Sequence, residues 1–270
     1  MRARVLPDAT IDSVSSPVPD DGVRSRQRQL AGDLRALILS GDIAPGARLP
    51  TTAELTRRYG VNNMSVTRAI AILKAEGLVE GQRGRAVLAT HRRPTVVRAA
   101  HYADPPAPSE PYPWITDNAA QGRSGSSRLI EVGERPGTAQ VAAAFGLTPG
   151  EAVVVRHQVL LLDEQPAELV WTHYPVDIAR GTVLAQNRRI KGGSPAALAA
   201  LGHPLRNAVD QVAARFATVA EFVALQLPED VPVLRQFRVA FDDSGRAVEA
   251  TIMIKSAQHY EVQYDLPESR

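Results

Sequence analysis

The sequence predicts an α+β protein built in two units. Three observations carry that expectation. The first third reads as three short helices closed by turn residues and followed by a small hairpin. A proline-rich and then Gly/Ser-rich stretch comes next. The remainder is dominated by β-hairpins with short helices between them, which favours an antiparallel sheet over a regular alternation of strand and helix. The 270 residues suit two domains of roughly 100–200 residues each.

Residues 1–23 hold three prolines and few large apolar residues, and are expected to form a flexible tail. The first domain is placed at residues 24–93. Leu30, Leu34, Leu37 and Ile38 fall on one helical stripe. Gly41 is a plausible stop, and Asp42–Gly46 is turn chemistry. Thr51 with Glu54 three residues on has the spacing of a capping box, so a second helix runs to Tyr59-Gly60. Asn62 or Asn63 caps a third helix whose core face is Val66, Ala69, Ile70 and Leu73 and which ends at Gly77. Leu78-Val79 and Ala86–Leu88 then read as two short strands around the tip Gln82-Arg83-Gly84-Arg85.

Helix, short turn, helix, then a basic-tipped hairpin fits a winged helix-turn-helix. In that arrangement the third helix presents polar side chains to base edges in the major groove. Helix N-termini and basic side chains meet phosphates, and arginines beside a tip glycine suit a narrow minor groove. Charge agrees. Residues 24–93 hold 13 Lys+Arg against 5 Asp+Glu, a local +8, so a net charge of +2 leaves −6 elsewhere. A basic unit joined to an acidic one is expected where only one of them meets a polyanion. The candidate DNA contacts are Thr51, Asn62, Asn63, Ser65, Thr67, Arg68, Arg83, Gly84 and Arg85. One of the two asparagines is expected to serve as a cap only.

Other classes are disfavoured. No apolar run approaches the ~18 residues of a membrane span. The N-terminus lacks the apolar stretch of a secretory signal, so a cytoplasmic location is expected. With no cysteine there are no disulfides, thiolate metal sites or cysteine nucleophiles. The Gly-x-Ser-x-Gly, Walker A and His-Glu-x-x-His patterns are absent, and no metal or cofactor is expected. His157 and His173 could approach each other across a hairpin, but two ligands without a third make no metal site.

Residues 94–127 contain Pro94, Pro105, Pro106, Pro108, Pro111 and Pro113, then a Gly/Ser run from Gly122 to Ser127, and are expected to form a linker. Trp114 and Ile115 within it are candidates to dock elsewhere. The second domain is placed at 128–270. Glu151–Leu162 and Glu168–Tyr174 flank turn residues Asp163–Pro166, so a hairpin centred near Glu164 pairs residues whose numbers sum to about 328. Leu160 then opposes Glu168, Gln158 opposes Val170, and Arg156 opposes Thr172. Alternation puts Arg156, Gln158 and Glu168 on one face. Val233–Phe241 and Ala247–Lys255 form a second hairpin, with Glu249, Thr251, Met253 and Lys255 sharing a face. A strand near Tyr260–Leu266 is expected to complete the sheet. Helices are expected near Ala139–Phe145, Pro195–Leu201 and Thr218–Leu225.

Residues 29–90 resemble the winged-helix domain of GntR-type bacterial transcription regulators. The carrying residues are Leu34, Leu37-Ile38, Gly41, Pro45-Gly46, Leu49-Pro50, Tyr59-Gly60-Val61, Ser65-Val66, Ala69, Leu73, Glu76-Gly77-Leu78 and Gly84. The resemblance implies DNA contacts from Asn62, Asn63, Ser65, Thr67, Arg83 and Gly84. The chain departs from the family at Ala53, Asn63 and Thr67, where arginines are usual or frequent, with Arg68 one position from the usual place. Asn and Thr favour adenine edges and thymine methyls, which implies a less guanine-dependent operator.

The second half resembles the UTRA effector domain of the HutC subgroup. That likeness rests on Leu147–Gly150, Val155-Arg156, Gln165–Ala167, Tyr174-Pro175, Gly193-Ser194, Leu201-Gly202, Ala220-Glu221 with Leu225, Pro232–Leu234, and Gly245 with Val248-Glu249. It implies a small-molecule effector over the sheet, at Arg156, Gln158, Glu168, Ser194, Glu249 and Lys255. Gln158 and Lys255 stand where sugar-phosphate-binding members often have Arg and Tyr. Loss of a fixed donor fork weakens the case for a phosphate. The effector class stays open between a phosphosugar, an acid, an amine and a larger metabolite. Arg156 and Glu168 could instead be a cross-strand ion pair, and Ser194 a helix cap.

The expected function is a homodimeric repressor released by its effector from a two-fold-symmetric double-stranded DNA operator. Two alternatives stand beside it. One is a small-molecule lyase or hydrolase, because the UTRA fold is similar to that of chorismate lyase. The other is a constitutive DNA-binding protein without effector.

Overall fold

The computed structural model describes residues 26–81, 86–90, 94–98 and 113–264. The expected tail and the wing-tip residues Arg83, Gly84 and Arg85 lie outside the described residues. The chain divides into two compact units, residues 1–91 and 92–270.

In the first unit, helices α1 (Arg26–Ser40), α2 (Thr52–Tyr59) and α3 (Asn63–Ala75) precede strands β1 (Val79–Glu80) and β2 (Leu88–Ala89). Leu30, Leu34 and Ile38 of α1 pack with Leu55 of α2 and Val66, Ala69 and Leu73 of α3. This is the stripe that the 3.6-residue period requires. Thr51 and Glu54 form a reciprocal capping box on α2, and Asn62 caps α3 by accepting from the Ser65 N–H at 2.8 Å. Arg35 of α1 donates two bonds to the Glu76 carboxylate at the end of α3, at 2.8 and 2.6 Å. That buried fork fixes how α1 crosses α3. Gly77 follows with φ +71°, a conformation costly for other residues, and turns the chain into β1. β1 pairs antiparallel with β2, whose other edge bonds Ala47 and Leu49 through short backbone bonds.

The second unit is a six-stranded antiparallel sheet in the order β4-β5-β6-β9-β8-β7. Its strands are β4 (Gly125–Pro136), β5 (Ala152–Leu162), β6 (Gln165–Pro175), β7 (Asn207–Arg215), β8 (Val233–Phe241) and β9 (Ala247–Ser256). The β5–β6 register pairs Arg156 with Thr172, Gln158 with Val170 and Leu160 with Glu168, as the hairpin arithmetic predicts. The turn itself is tighter than expected. Only Asp163 and Glu164 form it, both at positive φ, and β6 already begins at Gln165.

One face of the sheet carries Val153, Val159, Leu169, Phe237, Ala250 and Ile254. It packs under α5 (Ala139–Phe145) and the segment around α8 (Val219–Ala224). The other face is covered at its two ends. At one end lie α6 (Val176–Ala179), a 3₁₀ turn at Val183–Ala185 and α7 (Gly193–Ala200), packed on Val154, Tyr174 and Ala240. At the other end Trp114, Val97 and Tyr260 pack on Leu160 and Val170. The middle of that face is left open to a cavity.

Two sequence expectations are corrected here. The stretch 94–127 is not simply a linker. It contains β3 (Thr95–Arg98), α4 (Pro113–Ala120) and the start of β4, all in the second unit. Trp114 is buried, so the apolar contact it makes outweighs the extended bias of the surrounding prolines. The last strand, β10 (Tyr260–Gln263), does not join the large sheet. It pairs in parallel with β3, Tyr260 opposite Thr95 through Gln263 opposite Arg98. The turn at Ser256–His259 redirects the chain away from the sheet after β9.

Gly125 shows how closely this end is packed. A Cβ there would stand 2.7 Å from the Trp114 ring. Gly125→Ala should therefore displace that ring and cost about 1–3 kcal/mol. Urea unfolding with tryptophan fluorescence measures both effects, and an unchanged transition and spectrum would refute this packing.

Candidate functional site

The first candidate surface is the exposed side of α3. Asn62, Asn63, Thr67 and Arg68 are exposed and Ser65 is half-buried. Their polar atoms are already ordered by local bonds. The Asn62 carbonyl oxygen serves as the cap. Asn63 accepts from the Thr56 hydroxyl of α2 at 3.1 Å, and the Thr67 hydroxyl donates to the Asn63 carbonyl at 2.9 Å. Thr51 is exposed but held by Glu54, whose carboxyl is pulled below its ordinary pKa first by the Thr51 backbone N–H. Lys74 donates to the Gly81 carbonyl at 2.7 Å and fixes the base of the wing to α3. This pre-ordering leaves Arg68, and the amide nitrogens of Asn62 and Asn63, as the long or donor-bearing groups at the N-terminal half of the helix.

The second is the cavity, of about 510 Å³, on the open face of the sheet. That volume lies within the range of small-molecule sites. Register aligns its floor into rows across the strands. One row runs Arg156, Thr172, Thr251, Arg238 and Asp210. The next runs Gln158, Val170, Met253 and Gln236. A third holds Leu160, Glu168, Lys255 and Leu234. Glu249, opposite Ala240, and Tyr174 lie at the far end. All six residues singled out in the sequence, Arg156, Gln158, Glu168, Ser194, Glu249 and Lys255, line this one cavity.

Their partners differ from those expected. Arg156 is not paired with Glu168. Its guanidinium donates to the carbonyls of Leu184, Gln186 and Arg188 at 2.9, 2.8 and 2.6 Å, pinning the loop that leads to α7. Four residues along the hairpin, Glu168 instead meets Lys255 across β6–β9 at 2.5 Å, with both side chains about 97–98% shielded. The Lys255 ammonium also lies 5.2 Å from the centre of the Tyr260 ring. Ser194 is not a helix cap, since Gly192 in left-handed conformation takes that place.

Glu249 is buried, and burial pushes its carboxyl above the ordinary 4.5, against the Ser194 and Thr251 hydroxyls that favour the charged form. The sequence reading passed over Gln236 and Arg238. Their alternation with Ala240 on β8 was the available signal. Arg238 forks onto Asp210 with two 2.7 Å bonds. Glu168 Oε2, Gln236 Oε1 and Glu249 Oε2 are buried in the cavity wall without a protein partner.

His157 and His173 form no pair. His157 stacks on Trp171, with ring centres 4.4 Å apart, while His173 Nδ1 lies 3.0 Å from the Ala250 carbonyl. No cluster of three metal-ligating side chains occurs among the described residues. No described helix is long and apolar enough to cross a membrane.

With both sites in view, comparison with known proteins identifies the class. Residues 26–88 match the gntR family of bacterial regulatory proteins, and residues 120–261, more than half of the chain, match the UTRA domain. The chain belongs to the GntR-type DNA-binding transcription regulators that carry a UTRA effector-binding domain. It is 26% identical to SCO4628, an uncharacterized HTH-type transcriptional regulator of Streptomyces coelicolor, over 88% of this chain and 91% of that one. It is 24% identical to the HTH-type transcriptional repressor NagR of Bacillus subtilis, over 56% of this chain and 58% of the relative. The fold matches the crystal structure of PhnF from Mycobacterium smegmatis with a TM-score of 0.56 at 19% identity. That match covers 89% of this chain and all of PhnF.

Glu249 supplies a pH test of the cavity wall. Because its carboxyl is raised in the folded chain, the unfolded state releases the proton first. Stability is therefore lost as pH rises from 4.5 through the folded value, and stays lost above it. Glu249→Gln should raise the melting temperature at pH 8 and change it little at pH 4. Equal shifts at both pH values would contradict the burial of an ionisable carboxyl here.

Proposed function

We propose that the chain is a ligand-responsive repressor of the HutC subgroup. It binds a two-fold-symmetric operator as a homodimer and leaves it when a small molecule fills the cavity. One observation carries this reading: an exposed, pre-ordered polar helix face and a metabolite-sized cavity with a buried polar floor occur in the same chain. The domain matches give each half its class. The repressor role draws on the likeness to NagR, which is named as a repressor. The dimer follows from the general match between symmetric proteins and palindromic sites.

In this reading α3 enters the major groove. Asn62, Asn63, Ser65 and Thr67 meet base edges, while Arg68, the α2 start at Thr51, and the wing residues Arg83, Gly84 and Arg85 meet backbone or minor groove. Asn63 and Thr67 favour adenine and thymine over guanine. Ligand occupancy shifts the population between DNA-competent and incompetent arrangements, since a ligand moves an equilibrium only through its differential affinity. The site is in the cytoplasm, and regulation rather than catalysis is the output.

The test is binding of the purified protein to DNA from upstream of its own gene, across a salt series with nonspecific competitor. Competitor-resistant binding that weakens steeply with salt is expected. Arg68→Ala should weaken binding to all sequences and lower the salt slope by about 1. Asn63→Ala should cost about 1–3 kcal/mol on the selected site and little on random DNA. Binding that competitor abolishes would overturn the regulator reading, and a selected site with an essential guanine opposite Asn63 would overturn the adenine and thymine preference.

A further inference from the structure

The DNA-binding unit keeps its large apolar side chains inside, with one exception. Met64, the second residue of α3, is 59% exposed. Among the described residues of that unit, no other large hydrophobic side chain is exposed. A single exposed apolar residue needs no explanation by itself. The place of this one does.

Exposure along α3 follows the helical period. Val66, Ala69 and Leu73 are buried, while Met64, Arg68, Ala71 and Ala75 are exposed. Those four are spaced i, i+4, i+7 and i+11, so they form one stripe opposite the core. Ala71 and Ala75 are short. Met64 and Arg68 therefore stand furthest out from the stripe, and Met64 lies in the first turn of the helix. In a helix-turn-helix the N-terminal residues of the recognition helix are the ones that meet base edges.

The polar neighbours of Met64 are held by local bonds. Asn62 accepts as the cap, Asn63 accepts from the Thr56 hydroxyl, and the Thr67 hydroxyl donates to the Asn63 carbonyl. Met64 brings something different, a flexible and polarisable chain with no donor and only a weak acceptor. Laid against a guanine or adenine edge, or the amino group of cytosine, it would displace water and return no hydrogen bond. Thymine offers the C5 methyl, the one apolar group that base pairs present in the major groove. Contact with that methyl takes apolar surface out of water on both sides.

We propose that Met64 is a specificity-determining residue of the DNA-reading helix, its thioether chain packing on the C5 methyl of one thymine in each half-site. This assignment deepens the operator reading above and rests on it for the placement of α3 in the major groove.

The test uses the full chain and an operator that it selects from random DNA, with Kd read by fluorescence anisotropy. Each thymine of a half-site is replaced in turn by deoxyuridine, which keeps the base pair and removes only the methyl. At one position the change should weaken binding about 4-fold, the scale of one buried methyl-sized group. Made in both half-sites together, it should weaken binding about 16-fold, since separated positions add. Met64→Ala should bind the thymine operator more weakly by the same factors and no longer distinguish thymine from uracil there. Met64→Leu, which stays apolar, should keep the distinction. Because Met64 is exposed, Met64→Ala should melt with the wild type, which separates lost contact from lost fold. If it does not fold, Met64→Gln serves as the second variant, and the same loss of distinction is expected.

An operator with no thymine sensitive to the loss of its methyl would overturn the assignment. So would a sensitive thymine whose effect persists unchanged in the folded Met64 variant, and Thr67→Ser then shows whether Thr67 reads the methyl instead. Either result, obtained on competitor-resistant binding, leaves the regulator reading intact. Failure to select any competitor-resistant site would overturn both.

Discussion

Strand register is the constraint on which the effector unit depends. Side chains alternate faces with a period of two, so a slip of one residue would exchange the floor of the cavity for the hydrophobic core. The β5–β6 hairpin sets this register through its two-residue turn at Asp163-Glu164, both in left-handed conformation, together with the bulge between Leu160 and Leu161, which leaves Ala167 as the extra residue and shifts the pairing by one. Once it is set, Arg156, Gln158 and Glu168 must share a face, and β9 and β8 extend the rows. Polar side chains on that face would be costly if they were packed against apolar layers. They persist because the covering elements meet the sheet only at its two ends.

The two charged groups that sequence spacing makes most prominent serve different ends. Arg156 looks like a ligand clamp, yet it organises the loop before α7 and so shapes one wall of the cavity. Glu168 looks like its partner, yet it joins Lys255, which also packs on Tyr260 of β10. β10 in turn pairs with β3, the first described strand after the DNA-binding unit. The cavity floor is thus in physical contact, through Tyr260, with the β3–β10 pair.

Much of this was legible in sequence, and the misses share a cause. The capping box at Thr51, the Asn62 cap and the hairpin pairing of Arg156 with Thr172 are local, and local spacing determines them. α5 is likewise bounded by its own cap, Thr138, and by Gly146. β4 and β7 were not legible as strands. Both lie at sheet edges and carry few buried residues, so the two-residue hydrophobic period is weak. The Glu168–Lys255 pair joins residues 87 apart through β6–β9 adjacency, which no local pattern specifies. Trp114 was expected to dock and is buried, but its proline-rich context gave no sign of the helix α4 that carries it.

The central claim is that occupancy of the cavity and occupancy of DNA are linked. It is tested most directly by measuring the Kd for upstream DNA, by fluorescence anisotropy at fixed salt, with and without a saturating small molecule that calorimetry has shown to bind the effector unit. Coupling between sites of this kind is typically 5–150-fold. The account predicts that DNA affinity falls by about 10-fold or more when the cavity is filled. Equal affinity with the cavity filled and empty would contradict it.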